Sequence, residues 1–200
     1  QITHIGASTR LVGIDDYPSV GITVNGVIDG LQITNNKIYE IHQTVSDPAV
    51  SWGPTGIGYY GHEDPPYSTK VLISGNEISN ISAINNGTAK VIANGIRLGY
   101  GSGEGIVSDN KVTAIGGRAL AITSANNGLV TVTGNLLAQS DTGLYMANSL
   151  GGTVEENNII ENKLGIELAA SGIAEPAQVA PSLHFNRIYN NANAGLSNAI

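Results

Sequence analysis

GLQITNNKIYEI, residues 30–41, is the stretch whose reading decides the fold. Its apolar residues neither alternate as in a half-buried strand nor recur every three or four positions as in a helix. Two adjacent asparagines, Asn35 and Asn36, interrupt it where either element resists them. The phrase becomes legible through its echoes. Aligned on Asn36 within LQITNNKI, it returns as VLISGNEI, GIVSDNKV, VTVTGNLL, GTVEENNI and PSLHFNRI, with the asparagine at Asn76, Asn110, Asn135, Asn157 and Asn186. Three residues before each asparagine stands Ile33, Ile73, Val107, Val132, Val154 or Leu183; two residues after it stands Ile38, Ile78, Val112, Leu137, Ile159 or Ile188.

A second phrase, a small residue followed by an aliphatic one, lies nine or ten residues past the asparagine in the last four copies, at Leu120, Leu144, Ile166 and Leu196. In the first two copies the matching Ile57 and Ile96 come about eleven residues later, so those units carry insertions at one common place. An orphan VGITV, with Ile22 at its centre, reads as the end of an earlier unit. The intervals between the asparagines are 40, 34, 25, 22 and 29 residues, which describes a short unit decorated by loops.

A unit this short, cut into strand-length apolar phrases by Gly and Asn, cannot bury its own apolar side; stacked neighbours can. Each unit becomes one coil, lying on the next at the sheet spacing of about 4.8 Å. The expected fold is all-β, a parallel β-helix of about seven coils with inserted loops, forming a single domain over residues 1–200. The aligned asparagines are expected to take the left-handed bends between strands and to pass a side-chain hydrogen bond from coil to coil. Leucine-rich repeats share the period but demand leucine where Ile and Val stand here, and a hexapeptide helix demands a period of six.

Phrases such as ISGNEI and VTGNLL, joined to TGLYM and LGIEL, resemble the right-handed parallel β-helix of the pectin-lyase-like superfamily over residues 20–200. That resemblance implies a ligand groove along one sheet, walled by inserted loops, and a carbohydrate ligand. Its catalytic patterns do not carry over. The acidic pairs Asp15–Asp16 and Glu155–Glu156 are adjacent and face opposite sides of a strand, and GHEDPP has the wrong order for the Asp-Pro-His-Asp run of the superfamily's alginate epimerases.

The longest insertions are residues 42–55, 59–70, 81–94 and 170–182. The first two hold Trp52, Tyr59, Tyr60 and Tyr67, flat apolar faces suited to sugar rings, and His62, Glu63 and Asp64, the candidate acid–base groups if the protein is catalytic. Arg97, with Tyr100 in the same segment, falls in an outward row reading Gly58, Arg97, Ala121, Tyr145, Glu167, Ser197, and is a candidate anchor for hydroxyls or carboxylates.

Bulk properties exclude other classes. A formal net charge of −7 with nine scattered Lys and Arg argues against nucleic acid. Without cysteine there is no disulfide framework and no thiolate site. The four histidines have no metal-ligand spacing, so neither metal nor cofactor is expected. No apolar run reaches the roughly 18 residues of a membrane helix, so membrane insertion is not expected either. The leading expectation is a secreted or cell-surface module that binds polysaccharide. The alternatives are a polysaccharide lyase or related enzyme using the same loops, and a structural shaft of a surface or viral fibre. Leu196 holds a core position in the last repeat, so further chain segments or a second copy are expected to cap the ends.

Overall fold

In a computed structural model the chain folds as strands laid side by side in parallel, and the structure describes residues 2–7, 19–61, 70–99, 104–123, 130–147, 151–169 and 181–199. Each repeat phrase makes one turn of a parallel β-helix with three sides. The residues before the ladder asparagine form sheet C: Gln32–Thr34, Val71–Ser74, Gly105–Ser108, Val130–Thr133, Thr153–Glu155 and Ser182–His184. Those after it form sheet A: Ile2–Ala7, Lys37–Val45, Glu77–Asn85, the first part of Lys111–Thr123, Leu136–Ala138, Asn158–Ile160 and Arg187–Tyr189. The second phrase forms sheet B: Val20–Asn25, Thr55–Tyr60, Ala93–Gly99, the end of Lys111–Thr123, Thr142–Ala147, Leu164–Ala169 and Ala194–Ala199. Every strand pairing is parallel and joins like positions, as Ile38, Ile78 and Val112 do in sheet A. VGITV pairs with Thr55–Tyr60 and so belongs to an earlier coil.

The aliphatic residues flanking each asparagine fill the interior. Ile38, Ile73, Ile78, Val112, Val132, Leu137, Val154 and Ile159 are wholly buried. At about 1.5–3 kcal/mol per buried aliphatic side chain, these stacked rows are the main stabilising term. In the coil of Ser182–His184 and Ala194–Ala199, Leu183 and Ile188 are partly buried while Leu196 is 49% exposed.

The small residue ahead of each sheet B aliphatic also has a physical reason. A Cβ on Gly56 would stand 2.6 Å from the Gly95 carbonyl oxygen and 2.8 Å from Ile78 Cγ2. Backbone of the next coil occupies that space.

The asparagine ladder runs unbroken. Asn36 Nδ2 donates to Asn76 Oδ1, Asn76 to Asn110, Asn110 to Asn135, Asn135 to Asn157 and Asn157 to Asn186, at 2.9–3.0 Å. Each acceptor oxygen also takes the backbone N–H of the asparagine before it, as Asn135 Oδ1 does from Asn110. The left-handed bend, however, falls one residue earlier than expected. Asn35, Gly75, Asp109, Gly134, Glu156 and Phe185 have φ between 52° and 66°, and the ladder asparagines do not share that conformation. The side chain that stabilises the corner therefore belongs to the residue after the bend. The bend itself accepts Gly, Asn, Asp, Glu and even Phe.

A second left-handed row, Glu40, Asn80, Ala114, Gln139, Glu161 and Asn190, lies four residues past the ladder. Behind it stand Ile41, Ile81 and Ile115, then Ser140, Asn162 and Asn191. The polar three form a shorter ladder, Ser140 N–H to Asn162 Oδ1 and Asn162 N–H to Asn191 Oδ1. Where isoleucine replaces them, the sheet A strand runs on, and that continuation carries the first two insertions.

Candidate functional site

On the outer face of sheet B, two outward rows carry Tyr60, Arg97 and Tyr145, and Trp52 and Arg118 join them. Strand register stacks Thr23, Gly58, Arg97, Ala121, Tyr145, Glu167 and Ser197 in one row. Asn25, Tyr60, Gly99, Thr123, Ala147 and Ala169 make the next. Two glycines leave room for the Tyr60 ring to lie across the sheet. A Cβ on Gly58 would come 2.8 Å from Tyr60 Cε2, and one on Gly99 would come 3.1 Å from Cδ1.

Trp52 reaches this face from the loop 46–54, between the strands Lys37–Val45 and Thr55–Tyr60. That loop is pinned from below by a small separate core of Val45, Ala89 and Val91, against which Val50 and Ala83 pack. The Asp47 carboxylate accepts the Ala49 N–H at 2.8 Å, and Asn94 N–H donates to the Pro54 carbonyl at 2.9 Å. At Gly53 the loop lies so close to the backbone of Ile92 that no side chain fits. Trp52 is thereby presented on a braced loop, 39% exposed.

Trp52 and Tyr60 meet edge to face, ring centroids 5.5 Å apart at 84°. The Arg97 guanidinium lies 4.8 Å from the Trp52 centroid and 5.6 Å from that of Tyr60. Each such cation–π contact is worth about 0.5–2 kcal/mol, which fixes the long arginine side chain. Burial raises the Tyr60 phenol above its ordinary range, against the charge of Arg97 and hydrogen bonds with Thr55 and Arg97. It is therefore a neutral hydroxyl at physiological pH. Arg97 Nε is buried with no hydrogen-bond partner among the described residues.

Farther along the same face, the Arg118 guanidinium carbon stacks 3.3 Å from the centroid of the Tyr145 ring. Burial depresses the Arg118 guanidinium; Tyr145 and Glu167 oppose this, and the charge of Arg97 adds to it. Sequence reasoning placed Tyr145 and Glu167 in the outward row and passed over Arg118. Arg118 sits just before the small residue of the repeat, aligned with Asn94 and Thr142. Only the stacking brings it over the Tyr145 row.

Of the aromatic candidates, Trp52 and Tyr60 are brought together with Arg97. Tyr59 is not among them. Strand alternation turns it inward, where it is wholly buried and stacks between Val24 and Leu98. It is therefore a core residue and cannot line a surface groove. His62, Glu63, Asp64, Tyr67 and Tyr100 lie outside the described residues. On sheet A, His42 Nδ1 and Ser82 Oγ are 2.8 Å apart in an exposed pair remote in register from these rows.

Metal donors are poorly placed among the described residues. No three His, Asp or Glu side chains gather there, the chain has no cysteine, and Met146, its one thioether, is 2% exposed inside the core. A copper ion asks for imidazole, thiolate or thioether ligands converging on one point, and the described residues do not provide that set.

No curated protein and no solved structure matches the chain. A family model does: the one described as NosD, periplasmic copper-binding protein, matches residues 2–198. With its stacked parallel strands and a match over nearly its whole length, the chain belongs to the NosD family of periplasmic, right-handed, pectin-lyase-like parallel β-helix proteins.

Proposed function

We propose that this protein is a periplasmic polysaccharide-binding β-helix whose ligand lies on the outer face of sheet B. The periplasmic family is compatible with a location outside the cytoplasm, where polysaccharide is met. The observation that carries the reading is the convergence of Trp52, Tyr60 and Arg97 from a braced loop and two strands. An exposed indole held edge-on by a tyrosine offers a flat apolar platform for a sugar ring, and the guanidinium beside it donates to ring or pendant oxygens. The two outward rows contain one carboxylate among the described residues, Glu167, which supports binding over acid–base cleavage. The family description speaks of copper, and the donor set of the described residues gives no support for carrying that property to this chain.

A glycan array followed by calorimetric titration of the best hit tests the proposal. Trp52→Ala is expected to weaken binding at least tenfold, by more than the loss of its contacts with Tyr60 and Arg97 lowers stability, because the indole is 39% exposed. Equal loss of binding and stability would mean that Trp52 only packs, and the platform reading would fail.

A further inference from the structure

Resting on the reading of Trp52 as a binding platform, we infer that Asn85 is a positioning residue: with the loop 86–92 it fixes Trp52 and so sets the affinity for the ligand. Asn85 closes the strand Glu77–Asn85 and pairs in register with Val45, at the mouth of the loop 46–54. Its side-chain amide bonds one residue across the loop 86–92 in both directions. Nδ2 donates to the Val91 carbonyl at 2.9 Å, and Oδ1 accepts the Val91 N–H at 3.0 Å. The side chain thereby does for Val91 what a neighbouring strand would do. Val91 packs with Val45 and Ala89 beneath Val50 of the loop 46–54. The next residue, Ile92, sets its backbone against Gly53, whose carbonyl accepts Thr55 Oγ1–H at 3.2 Å. Trp52 immediately precedes Gly53. One line of contacts therefore runs from Asn85 through Val91, Ile92 and Gly53 to the indole.

The β-helix itself does not require this brace. Two later coils pass from sheet A to sheet B through residues 139–141 and 161–163 alone. The loops 46–54 and 86–92 are instead tied to each other. Asn86 N–H donates to the Val45 carbonyl at 2.8 Å and Asn86 Nδ2 to Ser46 Oγ at 3.3 Å, and the loops share a core separate from the main one. Ordering loop residues costs backbone freedom, and this second core offsets that cost for a stretch the coils can do without. What the brace holds against sheet B is Trp52, beside Tyr60 and Arg97. A ring ordered before the ligand arrives loses no further freedom on binding, so affinity follows the brace.

Trp52 is the chain's one tryptophan, so its fluorescence reads this ring without any ligand. In Asn85→Ala the emission is expected to move to longer wavelength and acrylamide quenching to rise, with the backbone circular dichroism unchanged. Calorimetric affinity for the best glycan of the array should fall roughly three- to tenfold, the cost of ordering one large side chain on binding. Asn85→Asp keeps only the bond from Val91 N–H and should fall between. Gly53→Ala forces a methyl group against Ile92 and should raise quenching by itself; it decides the matter if Asn85→Ala does not fold. Asn135→Ala, which weakens the ladder, should leave Trp52 emission unchanged below its melting temperature, and this separates positioning from a general loss of stability. Quenching that stays at the wild-type level in both Asn85→Ala and Gly53→Ala overturns the inference. Raised quenching with wild-type affinity overturns it too, since the brace would then not set binding. If the wild type binds no glycan, the polysaccharide reading fails, and the quenching series still decides whether Asn85 fixes Trp52.

Discussion

Replacing Asn135 by alanine asks how much of this fold rests on its asparagine ladder. Asn135 is wholly buried in a coil of ordinary length. Its Oδ1 accepts the Asn110 backbone N–H at 3.0 Å and Asn110 Nδ2 at 2.9 Å, and its Nδ2 donates to Val107 O, Thr133 O and Asn157 Oδ1 at 2.9–3.0 Å. The alanine leaves the Asn110 N–H buried without an acceptor, a cost of about 1–3 kcal/mol. Other groups are partly covered: Thr133 O still accepts the Asp109 N–H, and Asn110 Nδ2 still donates to Ile73 O. Val107 O loses a donor and a small void opens, so the total is expected at about 2–4 kcal/mol. For a domain of this size that is a fall in melting temperature of roughly 5–15 °C.

Asn36→Ala supplies the control. Asn36 is the first rung, and among the described residues its side chain only donates, to Thr34 O and Asn76 Oδ1. The backbone bond from Asn36 N–H to Asn76 Oδ1 survives the change. Its removal orphans no backbone N–H; the Thr34 carbonyl that loses a donor is only part-buried, so the change should cost about 1 kcal/mol or less. Thermal and urea unfolding of both variants measure the contrast. Equal losses would refute the argument that the ladder stabilises by satisfying the preceding coil's backbone.

Four further outcomes are expected. Gly56→Ala should destabilise by about 1–3 kcal/mol in a melt, because its Cβ meets the Gly95 carbonyl and Ile78. Tyr59→Ala should cost about 3–5 kcal/mol, because the wholly buried ring stacks between Val24 and Leu98; near-wild-type unfolding of Tyr59→Ala would contradict its place in the core. Tyr60 keeps its proton in the folded state past the pH at which the unfolded phenol loses it, so its contribution is intact below about pH 10 and declines above. A pH series of melts should show that alkaline decline shrink in Tyr60→Phe. At Glu77, the Lys111 hydrogen bond and charge, then the charge of Lys37, hold the carboxyl below its ordinary 4.5. The benefit is present above that pH and lost as pH falls, and a Lys37→Met, Lys111→Met double variant should flatten the acid limb of the same series.

What the sequence by itself determined is what repeats. Apolar residues at fixed offsets from Asn36 and its five counterparts imply stacked coils, because a register that joins like to like is the one arrangement that buries every row at once. The ladder followed from the same alignment, since a buried amide repeated coil after coil finds its partner in the next copy. Tertiary structure decided what does not repeat. Whether a strand runs on past Glu40 or stops at a second corner depends on Ile41 against Asn162, a difference visible only once the short second ladder is seen. Tyr59 and Tyr60 are neighbours in the chain, yet alternation buries one and exposes the other, and strand phase at an insertion cannot be counted from the repeat. Arg118 needed the fold most of all. Its partner Tyr145 lies 27 residues on in sequence and one coil away in space, and a long side chain chooses its aromatic face by distance, which the alignment does not contain.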